Sequence, residues 1–176
     1  MAIEIEAKLR VDELAPVRAQ LKKAGGKFVE SVWQKDIYFD TIQERMKNGD
    51  FALRLRNEVS KKASRSILTF KGPKQGGKFK SRREIELGVD DEGAAIDVLG
   101  ELGYHKSLVV EKSREIFEFK GCKVGLDDVK GLGTFVEIEG PGEEVIGKVQ
   151  EAMGLGAAEH IKESYASLIE ELPNSN

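Results

Sequence analysis

Apolar and polar residues alternate with a period of two over much of this chain. That is the signature of strands, in which successive side chains point to opposite faces. Residues 3–9 set Ile3, Ile5 and Leu9 on one face and Glu4, Glu6 and Lys8 on the other. Similar patterning predicts strands over 28–39, 51–57, 65–71, 79–87, 107–119, 122–128 and 133–139. The period changes where helices are expected. Leu14, Val17, Leu21 and Ala24 follow Asp12, read as an N-cap, and stop at Gly25-Gly26. Ile96, Leu99 and Leu102 form a second stripe ending at Gly103, and two more helices are expected over about 142–153 and 158–171. The polar stretch 41–50, with Asn48-Gly49, reads as a turn, and 72–77 as a flexible loop. Strands in succession with short turns favour an antiparallel sheet. The predicted organisation is one α+β domain over 1–172 with a polar tail at 173–176.

Three strands carry the same tripeptide: Glu4-Ile5-Glu6, Glu84-Ile85-Glu86 and Glu137-Ile138-Glu139. Each puts two carboxylates side by side on one face, an arrangement that like-charge repulsion disfavours unless cations lie between them. A single strand of this kind is ordinarily half-buried with its charges in solvent. The helices shift that expectation, because each apolar stripe needs an apolar surface to lie on. The surface available is the face bearing Ile3, Ile5, Leu53, Leu55, Ile85, Leu87, Val136 and Ile138. With helices on that face and eight strands closed into a barrel, the charged faces line the interior. Its cations would be Lys8, Arg54, Arg56, Lys71, Lys80, Arg82, Lys112 and Arg114. Its anions would be Glu4, Glu6, Glu84, Glu86, Asp127, Glu137 and Glu139. Unpaired charge cannot fill a dry core, so such an interior is a wet tunnel that holds a ligand. Arginines two apart on a strand suit phosphate oxygens, and clustered carboxylates suit Mg²⁺ or Mn²⁺.

Composition narrows the class. Charged residues make up 34% of the 176, yet the net charge is only −3, which argues against a general nucleic-acid binder. The lone Cys122 excludes an intramolecular disulfide and points to a reducing cytoplasm, and it reads as a packed apolar residue. The chain enters a charged strand at once, so no signal peptide is expected, and no apolar run reaches the ~18 residues of a membrane span. His105 and His160 are too isolated for a histidine metal site and read as surface residues, while Trp33 reads as core or, less simply, as a platform for an adenine. No glycine-rich phosphate loop is present, so phosphate binding would rest on side chains.

These segments resemble the CYTH, or triphosphate tunnel metalloenzyme, superfamily. The resemblance starts at Glu4-Ile5-Glu6-Ala7-Lys8 and continues through Gln34 to Asp40, Leu53-Arg54-Leu55-Arg56, Leu68 to Pro73 and Arg83-Glu84-Ile85-Glu86. It extends through Leu102-Gly103-Tyr104, Glu111-Lys112-Ser113-Arg114, Leu126-Asp127-Asp128-Val129, Leu132 to Glu139 and Lys162-Glu163-Ser164-Tyr165. It implies an eight-stranded antiparallel tunnel holding a triphosphate and one or two divalent ions, Mg²⁺ or Mn²⁺. By resemblance, Lys8, Arg54, Arg56, Lys71, Lys112, Arg114 and Lys162 are phosphate ligands, and the inward Arg82 joins them. Glu4, Glu6, Asp127, Glu137 and Glu139, with Glu84 and Glu86 less firmly, are metal or supporting ligands. The reaction is expected to rest on Glu4, Glu6, Lys8, Lys71, Glu137 and Glu139. The segments Asp36-Ile37-Tyr38-Phe39, Lys71-Gly72-Pro73 and Leu102-Gly103-Tyr104-His105 look most like the class IV adenylyl cyclase branch, which makes cyclic AMP and pyrophosphate from ATP. Relatives of that branch hydrolyse inorganic or thiamine triphosphate, and the motifs do not fix which phosphorus is attacked. A non-catalytic nucleotide- or polyphosphate-binding module is the reading from another class. A homodimer is a family-level expectation only.

Overall fold

The structure, a computed structural model, describes residues 2–75 and 80–173; the side chains of residues 2–4 and of residue 80 are outside that description. Eight strands close into an antiparallel barrel: β1 (Ala2–Arg10), β2 (Lys27–Thr41), β3 (Ala52–Ser60), β4 (Ser64–Lys71), β5 (Lys80–Val89), β6 (Tyr104–Phe119), β7 (Cys122–Val129) and β8 (Gly133–Gly140). The order around the barrel is β1-β5-β4-β3-β2-β6-β7-β8, and closure leaves no free sheet edge. The expected eight-stranded antiparallel barrel is therefore present. Five helices decorate it among the described residues: α1 (Leu14–Lys23), α2 (Arg45–Asn48), α3 (Glu92–Glu101), α4 (Glu143–Ala152) and α5 (Tyr165–Glu170).

Helices cover the apolar outer face in two patches. Val17 and Leu21 of α1 and Ile146 and Val149 of α4 pack on Val124, Leu126, Val136 and Ile138 of β7 and β8. Each such side chain contributes about 1.5–3 kcal/mol by leaving water. Leu99 of α3 and Met46 of α2 cover Ile37, Phe39, Leu53 and Leu55 of β2 and β3. The coverage is incomplete: Ile85 and Leu87 of β5 are 48% and 63% exposed. A third cluster, with Val110, Val129, Leu132, Phe135 and Tyr165, seats α5 against the barrel.

Local differences from the expected elements have local causes. The α1 helix begins at Leu14 after an extended Glu13 that makes no side-chain cap bond, so Asp12 is not the cap. The 41–50 stretch holds one turn of helix, organised by Asp40, whose carboxylate accepts from the N–H groups of Thr41, Met46 and Lys47. The last helix is short. Residues near 160 run beside β1, with Leu9 bridged to His160 and the Ile161 N–H donating to the Lys8 carbonyl. The Ser164 side chain then accepts from the Ser167 N–H and starts α5. Gly103 takes φ +87° to end α3, a conformation costly for other residues. The loop expected over 72–77 falls partly on residues outside those described.

Candidate functional site

Register turns the alternating charges into a lined cavity of about 600 Å³. Glu6 lies opposite Glu139, and Lys8 opposite Glu137, across β1 and β8. Arg56 lies opposite Asp36 on β2, and Arg54 opposite Thr69 on β4. Lys71 faces Glu84 across β4 and β5, and Arg114 faces Asp127 across β6 and β7. The cavity brings together Glu6, Lys8, Arg54, Arg56, Lys71, Arg82, Glu84, Glu86, Lys112, Arg114, Glu137 and Glu139. The Glu4 side chain lies outside the described residues. Lys162 is exposed, off the cavity lining and ahead of α5, not on a helix. Trp33 is 40% exposed on the outer side of β2, so it is neither core nor a platform in the tunnel.

Two carboxylates organise the cations. Asp127 is fully buried, and its Oδ1 accepts from Arg114 Nε at 2.6 Å. Its Oδ2 accepts from Arg114 Nη2 at 2.5 Å, Lys112 Nζ at 2.8 Å and the Tyr165 hydroxyl at 2.8 Å. With its oxygens so occupied and the residue off the cavity lining, Asp127 sits behind the cations, the supporting one of the two positions, metal or supporting ligand, that the resemblance allowed it. Burial pushes its carboxyl up, but Arg114 and Lys112 outweigh that and hold it below the usual carboxylate range. Glu137 joins the same cluster. It contacts Arg114 and lies 3.4 Å from Lys8 and 3.9 Å from Lys112. Burial, with help from the neighbouring Arg114, pulls Lys112 down to about 8.

The second organiser is Asp36, which residue patterns alone did not mark as a site residue. It is buried and accepts from Arg56 Nε at 2.6 Å and Nη2 at 2.7 Å, with Arg54 Nη1 at 3.7 Å. Burial raises its carboxyl, yet Arg54 and Arg56 overcome that and keep it ionised far below neutral pH. Arg82, expected on phosphate, donates instead to the Asp50 carboxylate at 2.7 Å and to the carbonyls of Asp50 and Gly72 at 3.0 Å. It ties two loops together at the tunnel wall. Gly125 matters for a different reason: a Cβ there would lie 2.9 Å from Arg114 Cζ and Nε, so the missing side chain is the space the guanidinium fills.

Among the described residues no three Asp, Glu, His or Cys side chains converge on one point. Two of the lining carboxylates, Glu6 and Glu139, face each other across β1 and β8. Hard oxygen donors of that number suit a Mg²⁺-sized ion, which keeps waters and takes further oxygens from substrate phosphates. The donor chemistry fits.

A closed antiparallel barrel whose interior cavity is lined by charged side chains of both signs defines a class, the charged tunnel proteins. The chain belongs to the CYTH domain family, whose model matches residues 2–165. Proteins of this family process triphosphates and use divalent metal ions. A protein of Methanocaldococcus jannaschii, provisionally named an adenylate cyclase, is 37% identical over 137 residues, 78% of this chain and 76% of that one. A solved structure from Pyrococcus horikoshii is similar with a TM-score of 0.85 and 29% identity, covering 96% of this chain and 98% of that one. A Hippeastrum protein, provisionally named an adenylyl cyclase and described as having a dominant triphosphatase activity, shares the fold with a TM-score of 0.72 at 18% identity, over 97% and 95% of the chains. No helix among the described residues is long and apolar enough to cross a membrane.

Proposed function

We propose that the chain is a Mg²⁺- or Mn²⁺-dependent enzyme that converts ATP to cyclic AMP and pyrophosphate inside the barrel. The observation that carries triphosphate binding is the lining itself: Lys8, Arg54, Arg56, Lys71, Lys112 and Arg114 converge on one cavity, each placed by a carboxylate among Asp36, Glu84, Asp127 and Glu137. The 37% identical relative's provisional name supports the cyclase form. Arginines and lysines bind and orient the phosphates and stabilise charge that builds on phosphoryl oxygens. Because their carboxylate partners are buried, the donors need little rearrangement when substrate enters. Glu6 and Glu139 would hold the divalent ion, with Glu4 as a further ligand by resemblance. A bound ion supplies Lewis-acid stabilisation of the leaving phosphates. The ribose 3′-oxygen attacks the α-phosphorus, its proton departs, and the bond to the β-phosphate oxygen breaks to release pyrophosphate. The substrate is a free small molecule and the proposed setting is the cytoplasm, in keeping with the single, buried Cys122.

A second reading has one observation in its favour, the triphosphatase activity described for the Hippeastrum protein of the same fold. There water attacks the terminal phosphorus and orthophosphate leaves. Incubation with ATP, and separately with inorganic or thiamine triphosphate, in Mg²⁺ or Mn²⁺ distinguishes the two by product. Cyclic AMP with equimolar pyrophosphate is expected. Orthophosphate without cyclic AMP would replace the cyclase reading by the hydrolase, and no turnover would leave a binding module.

A further inference from the structure

Tyr165 opens α5 and turns into the charged interior, where it is buried. Its ring centroid lies 4.1 Å from Lys8 Nζ and 4.6 Å from Lys112 Nζ, and its edge packs on Phe135 with centroids 5.1 Å apart. Its hydroxyl donates to Asp127 Oδ2 at 2.8 Å, the oxygen that Lys112 and Arg114 also use. The segment before it is fastened to β1, where Lys8 Nζ donates to the Glu163 carbonyl at 3.0 Å. Four strands, β1, β6, β7 and β8, and the C-terminal segment therefore meet at this residue.

We propose that Tyr165 is a positioning residue that sets how far Lys112 and Arg114 extend into the tunnel towards a bound triphosphate. The inference rests on the triphosphate reading above. A carboxylate has limited acceptor capacity, and the hydroxyl occupies a share of Asp127 that the cations would otherwise take. The ring face competes for the two ammonium groups in the same way, because a cation over an aromatic face is attracted without being neutralised. Lys112 and Arg114 thus stay partly committed to Asp127 and partly available to phosphate. With the hydroxyl gone, Asp127 has one donor fewer to accept from, its hold on both cations strengthens, and phosphate affinity falls.

The test measures binding of the imido analogue of inorganic triphosphate, with Mg²⁺, by calorimetry on wild type and on Tyr165→Phe and Tyr165→Leu. Tyr165→Phe should weaken Kd about tenfold, the scale of one hydrogen bond to a charged group, and Tyr165→Leu, which also removes the ring, should weaken it further. In turnover assays KM should rise in parallel while kcat stays within about twofold. A purely structural role predicts the opposite split, since fewer folded molecules lower kcat at unchanged KM; KM is thus informative even for a destabilised variant. Wild-type binding with an unchanged Kd in Tyr165→Phe would overturn the positioning role. Failure of wild type to bind would instead sink the triphosphate reading, and this proposal with it.

Discussion

Asp127→Asn isolates the buried charge that organises one side of the tunnel. The substitution keeps shape and leaves Lys112 and Arg114 beside a neutral amide, with the Glu137 carboxylate still in contact with both. Breaking a buried ion pair by removing one partner costs about 3–5 kcal/mol. Glu137 retains part of the attraction, so the low end, about 3 kcal/mol, is the expected cost. For a chain of this length each kcal/mol moves Tm by roughly 2–4 °C, which predicts a fall of roughly 6–12 °C at neutral pH. Circular dichroism melts of the two proteins measure it. The pH dependence gives a second check. Asp127 titrates below its unfolded value of ~3.9, so its stabilisation is complete above that value and is lost as pH falls below it. The Tm gap should hold from pH 7 to 5 and narrow towards pH 3. A gap under about 2 °C at neutral pH, or one that persists undiminished at pH 3, would refute the assignment.

Gly125→Ala should push the Arg114 guanidinium off its seat, weakening inorganic triphosphate binding about tenfold and costing about 1–3 kcal/mol of stability, read by calorimetry and melting. Lys112, held at about 8, should lose its charge as pH rises through that value, so kcat/KM should fall on the alkaline side with a midpoint near 8. The stability sign is opposite: the group's contribution rises from about pH 8 to its unfolded value of ~10.4, so a fall in activity there is not unfolding. Glu6→Ala should remove turnover with little change in Tm, and chelation should do the same to wild type until Mg²⁺ or Mn²⁺ is returned. Activity that survives EDTA would contradict the metal requirement.

The barrel was legible because its strands alternate cleanly: Leu53 and Leu55 against Arg54 and Arg56, Ile138 against Glu137 and Glu139. Inward and outward faces follow from that period alone. What the period does not contain is register, and register makes the site. Asp36 became a site residue only once Arg56 was found opposite it, and Gly125 only once Arg114 was found across from it. Glu111 and Glu115 lie on the side of β6 opposite the inward Lys112 and Arg114, and the Lys130 and Arg18 that pair with them are equally invisible as partners in sequence. Arg82 looked like its neighbours in pattern but is claimed by Asp50, a residue in a distant loop. Ser164 was the readable signal for the short last helix, yet the apolar spacing over 158–171 extended the expectation too far. Within Lys162-Glu163-Ser164-Tyr165 the basic residue drew attention, while the aromatic one enters the tunnel.

The central claim is that a triphosphate is held inside the barrel by the inward cations. A crystal structure with a non-hydrolysable ATP analogue and Mg²⁺ tests it most directly. Phosphate oxygens within hydrogen-bonding distance of Arg54, Arg56, Lys112 and Arg114, with the ion on Glu6 and Glu139, are predicted. An analogue bound on the outer face, or phosphates in the barrel that touch none of these four side chains, would contradict the account.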